Sequence, residues 1–370
     1  MEINLPILRT HWTVILALSV ACITTAVTGR AETVPPGDSR PVVAQAIESY
    51  EAQPNVSGSV TIAGSETMKS MMTKLAAEFM RLHPSVSFTV EGTGSSAAIR
   101  EFAMGISLQR RGDKAREGHG GGAAAQLLAA SRELTDAETA AFRSHHGFAP
   151  IGIPVAMGAV TLFVHADNPI EGLTLAQLDA MFGTSRKRGA QADITTWGQV
   201  MKRSGWENQA IHLYGRNKES GTREFFVRAV LQGGELKNEI REQAGTASEI
   251  LAIARDPLGI GYAGTGVQTS LARMVPIAES EGAPFVLPTQ DSVTSGAYPL
   301  SRPLYLYVAA GQKQPIDPAI LSFLRFVNSR EGQEIAARSG FFPLTEAMVA
   351  KNRDLLVGVS LTARVKNDRR

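Results

Sequence analysis

The stretch Tyr214-Gly215-Arg216-Asn217-Lys218-Glu219-Ser220-Gly221-Thr222-Arg223-Glu224-Phe225-Phe226 decides the reading of this chain. An apolar run from Ala210 to Tyr214 leads into it as a strand, and an amphipathic run from Arg223 to Leu231 leaves it as a helix. Between them stand an arginine, two hydroxyls and a glycine. A helix start carries unpaired backbone N–H groups and the positive end of the peptide dipole. Gly221 lets an anion approach the backbone, Ser220 and Thr222 add hydroxyls, and Arg216 can form a two-pronged clamp. Such a segment grips a small oxyanion without a metal.

Working outward, strands and helices alternate. Strands are expected at Ser59–Ile62, Val86–Val90 and Leu127–Ala130, and helices at Thr67–His83 and Ser95–Met104. Thr135-Asp136-Ala137-Glu138 is a capping box that opens another helix. Ile151–Val164 is a long apolar stretch suited to crossing between two lobes. A second alternation follows, with helices at Thr174–Phe182, Arg223–Leu231 and Ala247–Arg255 and strands at Ile211–Tyr214 and Ile260–Ala263. A strand at Leu304–Ala309 and helices at Pro318–Asn328 and Glu331–Gly340 bring the chain back. This pattern predicts an α/β fold with a mostly parallel sheet wrapped by helices. The expected organisation is a first lobe from 59–152 and 265–345 and a second from 153–264, with a C-terminal tail over 346–370 that is basic and solvated after Leu356.

Two more loops resemble the opening one. Gly64-Ser65-Glu66-Thr67-Met68 and Gly92-Thr93-Gly94-Ser95-Ser96 each stand between a strand and a helix. Ligands of open α/β sheets bind at that edge. Each loop alone reads as an ordinary Ser or Thr cap. Three together, one with an arginine, read as a converging anion cradle.

The chain has 37 Lys and Arg against 35 Asp and Glu, so nucleic acid is not the expected partner. Arg9 and His11 precede an apolar run, Trp12 to Val27, and Gly29-Arg30-Ala31 offers a cleavage site. Residues 1–31 therefore read as a secretory signal peptide, too short for a comfortable membrane span. Ser19-Val20-Ala21-Cys22 offers lipoprotein cleavage as the lesser alternative, because Ser19 stands where Leu is usual. Residues 32–58 read as a linker with a short helix over Val42–Tyr50. Ser107–Ala124, charged and glycine-rich, reads as a solvated insertion. His145-His146 reads as a helix end rather than a metal site. Met68, Met71, Met72 and Met80 read as core, and Trp197 and Trp206 as packing about a short helix.

At this point the chain resembles the periplasmic phosphate-binding proteins that serve phosphate ABC importers, of the type II periplasmic binding protein family. The matching stretches are Ala63–Met68, Glu91–Ser96, Ala130-Ser131-Arg132-Glu133-Leu134, Ile194-Thr195-Thr196-Trp197, Gly215-Arg216 through Ser220-Gly221-Thr222, Gly259–Tyr262 and Gly340-Phe341-Phe342-Pro343-Leu344. The resemblance implies a two-lobed fold closing over a ligand in the cleft. It implies phosphate contacts from Thr67, Met68 (through its backbone N–H), Ser95, Ser131, Arg216, Ser220, Gly221 and Thr222. Ser131 stands where several relatives carry aspartate. Lys218 stands where some carry an acid that braces the arginine. Glu66, an anion beside an anion site, is expected to turn its side chain away. Serine can donate as well as accept, so sulfate rejection should be weaker here, unless Asp136 or another acceptor fills the role.

The function expected is capture of inorganic phosphate in the periplasm and delivery to an ABC-type membrane permease, by a monomer without cofactor or metal. The alternatives are a binder or sensor of another tetrahedral oxyanion (sulfate, molybdate, arsenate) and, less favoured, a phosphatase. Hydrolysis would need a metal cluster or an activated nucleophile, and no such motif is present.

Overall fold

The computed structural model of this protein describes residues 41–105, 126–310 and 316–367, with side chains to 358. The expected leader with Cys22 and the 107–124 insertion lie outside the described residues. The first alternation is realised as β1 (Gly58–Gly64), α1 (Glu66–Leu82), β2 (Val86–Glu91), α2 (Ser95–Ala103), β3 (Leu127–Ala130) and α3 (Asp136–His146). Then come β4 (Ile151–His165), β5 (Leu173–Thr174), α4 (Leu175–Phe182), a 3-10 turn (Trp197–Gln199), β6 (His212–Arg216), α5 (Gly221–Ala229), β7 (Arg241–Gln243), α6 (Thr246–Ile253), β8 (Gly259–Gly264), β9 (Ala272–Val275), β10 (Ile277–Ala278) and α7 (Gln290–Thr294). The chain closes with β11 (Ser301–Val308), α8 (Pro318–Val327), α9 (Arg330–Arg338) and α10 (Glu346–Asn367).

Local chemistry sets the helix starts. Ser65 caps α1 by accepting from Met68 N, and the Thr135–Glu138 capping box opens α3. Along α1 the buried residues Met68, Met71, Met72, Leu75, Ala76 and Phe79 fall at helical spacing, so the methionines are core. Met80 is only partly buried.

The main sheet runs β2-β1-β3-β11-β4-β8-β6-β7, with β9 added against β4. Its wings are parallel: β1 lies parallel to β2 and β3, and β6 to β7 and β8. Its centre is antiparallel, because β11 runs against both β3 and β4, and β4 against β8 and β9. The sheet is thus mixed rather than mostly parallel. β4 belongs to both halves, pairing with β11 over Ile151–Ala159 and with β8 over Val160–Val164.

Each half has its own core. In the first, Phe79, Phe323 and Phe326 pack beneath β1, β3 and β11. In the second, Leu178, Phe182, Phe226 and Tyr262 pack beneath β4, β6 and β8. Val275, Ile277, Val293, Tyr298 and Leu300 belong to the second core. The chain therefore rejoins the first half at β11, not near 265 as the sequence reading expected. Those residues stay because β9 pairs with β4 and β10 with β5.

Both ends of the described chain differ from expectation. Residues 41–57 contain no helix. They dock instead: Ile47 is buried, Arg330 N donates to Glu48 O at 2.9 Å, and Tyr50 OH meets His83 Nε2 at 2.8 Å. The stretch read as a C-terminal tail begins as a helix, and α10 buries Val349, Asn352 and Leu356, all ahead of the solvated end expected after Leu356. No helix among the described residues is long and apolar enough to cross a membrane.

Two features of the second half have measurable consequences. α5 is held to the sheet by Phe226, fully buried and stacked on Tyr262 with ring centroids 3.9 Å apart. Phe226→Ala should cost about 3–5 kcal/mol of stability in urea unfolding, since the cavity sits under a helix that cannot collapse into it. Glu249 on α6 is also fully buried: its Oε1 accepts from Tyr262 N at 3.1 Å, and its Oε2 has no protein partner. Burial, opposed by nearby Arg216, pushes its carboxyl from an ordinary 4.5 to about 8. Between those values the folded protein keeps a proton that the unfolded chain has released, so stability falls as pH rises through the window. Glu249→Gln should therefore melt higher than the parent near pH 8, with the difference closing towards pH 4.5.

Candidate functional site

The C-terminal ends of the parallel strands point their loops into one cleft. From the first half come the starts of α1 and α2 and the turn after β3; from the second come the starts of α5 and α6. The two halves meet closely at Gly221. A Cβ there would lie 2.7 Å from Ser95 Oγ and 2.9 Å from Ser131 Oγ, so only glycine fits. Gly94, at φ +98°, faces the backbone of Glu219 in the same way, and a Cβ would come within 2.3 Å of that carbonyl oxygen.

The hydroxyls converge around this contact. Ser131 N donates to Ser95 Oγ at 3.1 Å, and the two hydroxyl oxygens are 3.2 Å apart. Across the cleft, Thr67 Oγ1 and Thr222 Oγ1 are also 3.2 Å apart. Arg216, at the end of β6, is buried; its Nη1 donates to Thr246 Oγ1 at 2.9 Å and, more distantly at 3.4 Å, to Thr67 Oγ1. Its Nη2 donates to Ala244 O at 3.0 Å, and its Nε has no protein partner. Thr67, Ser95, Ser131, Arg216, Gly221 and Thr222 are thus brought together. Met68 and Ser220 bond within their own helix starts: Met68 N donates to Ser65 Oγ at 3.3 Å, and Ser220 Oγ accepts from Thr222 N and Arg223 N.

Glu66 does not turn away. Its Oε2 pairs with Arg216 Nη2 at 2.9 Å and accepts from Thr246 N at 3.1 Å. The start of α6 has no side-chain cap of its own; it offers the carboxylate an N–H and the favourable end of a helix dipole, so Glu66 is stabilised facing inward. The brace that Lys218 cannot supply therefore comes from the opposite half of the molecule.

Other polar bonds tie the halves together. Arg132, following Ser131, is buried between Glu138 and Glu224, the latter on α5. Ser96 Oγ donates to the same Glu224 at 2.9 Å, and Ser96 N to Glu219 O at 3.1 Å. Arg100 and Glu219 add an exposed pair at 2.6 Å, of small energetic weight.

Sequence reasoning missed Arg302. It lies on β11 in the buried register of Leu304 and Leu306. Its Nη2 donates to Thr222 Oγ1 at 2.8 Å, and its guanidinium lies 5.1 Å from the centroid of the Phe225 ring. A cation at a core position of an apolar alternation was the available signal.

His146 stacks on Phe142 at 4.0 Å, and no three His, Cys, Asp or Glu side chains among the described residues gather as metal ligands. A cleft of about 450 Å³ opens beside Glu66, Thr67 and Thr246, with Lys69 and Lys74 on its wall.

Comparison with known proteins gives a consistent neighbourhood. A PBP superfamily domain matches residues 49–331. The phosphate-binding protein PstS of Pseudomonas aeruginosa is 35% identical over 306 residues, spanning 83% of this chain and 89% of that protein. Protein SphX of Synechococcus elongatus is 26% identical, over 77% of each chain. Among solved structures, a putative phosphate ABC transporter substrate-binding protein with bound phosphate from Clostridium perfringens superposes with a TM-score of 0.60 at 23% identity. That match covers 78% of this chain and all of the other. The fold, the motifs and the relatives agree: this chain belongs to the PBP superfamily, within the family of the PstS proteins.

Proposed function

We propose that this protein captures inorganic phosphate outside the cytoplasm and delivers it to the membrane permease of an ABC-type importer. The observation that carries the reading is the meeting of helix starts from both halves around Gly221, with hydroxyl donors and the Arg216 guanidinium converging on it. Thr67, Ser95, Ser131, Arg216, Ser220, Gly221 and Thr222 form the proposed site, with Met68 contributing its backbone N–H at the start of α1. Binding rather than hydrolysis is supported by Ser220, whose Oγ serves two helix-start N–H groups instead of a general base. The phosphate in the names of the PstS relatives and of the Clostridium structure supports the choice of anion. The signal peptide read over 1–31 supports export to the periplasm, where a monomer would meet its permease.

Calorimetric titration of the mature protein with phosphate and sulfate tests the reading, and absence of phosphate binding would sink it. Arg216→Ala should weaken phosphate by roughly a hundredfold or more, since losing one side of a buried charge-assisted contact costs about 2–5 kcal/mol. It also leaves Glu66 facing the anion without its partner. Arg216→Lys should restore only part, because a point charge cannot form the fork. Ser131→Asp should widen the phosphate-over-sulfate ratio by repelling an anion that has no proton to donate. An unmoved ratio would mean that another group reads the phosphate proton.

A further inference from the structure

Arg302 is buried deep in the cleft wall, and its electrostatic surroundings are unusual. Arg216 is opposed by Glu66, and Arg132 by both Glu138 and Glu224. Arg302 forms no ion pair among the described residues; its polar contacts are Thr222 Oγ1 at 2.8 Å and, marginally, Gly221 O at 3.5 Å. Its Nε is buried without a protein partner. The charges that act on it through space are those of Arg216 on β6, Arg132 after β3 and Arg228 on α5, all cations. Glu224, also on α5, is engaged by Arg132 and Ser96. A buried guanidinium with cations for neighbours is unfavourable unless an anion completes it, and the Phe225 face alone offsets little.

The contact to Thr222 also has a direction. A guanidinium has no acceptor, so Thr222 Oγ1 must accept from Arg302. Its own proton then points elsewhere, towards Thr67 and the cradle. We propose that Arg302 is a specificity-determining residue of the anion site. It fixes the Thr222 hydroxyl as a donor and supplies a positive charge, paired with no carboxylate of its own among the described residues, that favours a doubly charged anion over a singly charged one. This rests on the phosphate-binding reading and deepens it. Arg132 and Arg216 together meet three carboxylates, so without Arg302 the cluster would carry a formal negative charge before any anion arrived. Burial, together with Arg216, Arg132 and Arg228, lowers the Arg302 guanidinium to about 9, which still leaves it charged at neutral pH.

The test is calorimetric titration of the full mature protein, the parent beside Arg302→Met and Arg302→Lys. Phosphate is mostly singly charged near about pH 5.5 and doubly charged near about pH 8, while sulfate is doubly charged at both. Arg302→Met should lose roughly tenfold or more of its phosphate affinity at the higher pH and about threefold or less at the lower. Its sulfate affinity should fall by roughly the larger factor at both. Arg302→Lys keeps the charge but not the reach to Thr222. It should keep the parent's pH profile and lose about threefold to tenfold throughout. Equal phosphate losses at both pH values in Arg302→Met would overturn the charge role. Parent-like affinity in Arg302→Lys would overturn the positioning role, and it decides the question should the methionine variant not fold. A parent that binds no phosphate would instead sink the underlying reading, so the two failures are distinct.

Discussion

The rest of the structure depends on the approach of the α5 start to the α2 start at Gly221. No side chain fits between Gly221 and the hydroxyls of Ser95 and Ser131, so the two halves can come within hydrogen-bonding reach of a single small anion. The parallel wings place helix starts on the same edge, and the long shared strand β4 holds the wings in one sheet. Phe226 on Tyr262 then fixes the height of α5 above that sheet.

Charge is arranged around this contact so that a cleft with three buried arginines remains foldable. Two are matched by carboxylates that lie partly on the opposite half: Glu66 for Arg216 and Glu224 for Arg132. These pairs are also the bonds that span the cleft, so they join the halves while satisfying the cations. Breaking a buried pair on one side is costly in a way that exposed pairs such as Arg100–Glu219 are not.

Much of this was legible in the sequence, and what was not has a physical reason. The alternation located the helices and strands that flank the cleft, and the hydroxyl and glycine loops located its floor, because both are local signals. Strand direction is not local, which is why the antiparallel centre was read as parallel. β9, β10 and α7 are too short for periodicity to show, so the return to the first half was placed too early. The inward turn of Glu66 depends on the start of α6, 180 residues away, and the role of Arg302 depends on Thr222, 80 residues away. Sequence spacing carries no information about such partners. Position 302 was nevertheless marked by an arginine in an otherwise apolar strand.

The brace on Arg216 has an evolutionary corollary. One negative charge beside this guanidinium satisfies it; two would compete with the incoming anion. In this chain the charge is lodged at 66, and 218 is a lysine. A relative that carries its acid near 218 has no electrostatic need of one at 66. The two sites, far apart in sequence, are therefore alternative seats for a single charge. Across descendants of a common ancestor they should change together, one losing its acid as the other acquires it, and an alignment in which they drift independently would contradict this.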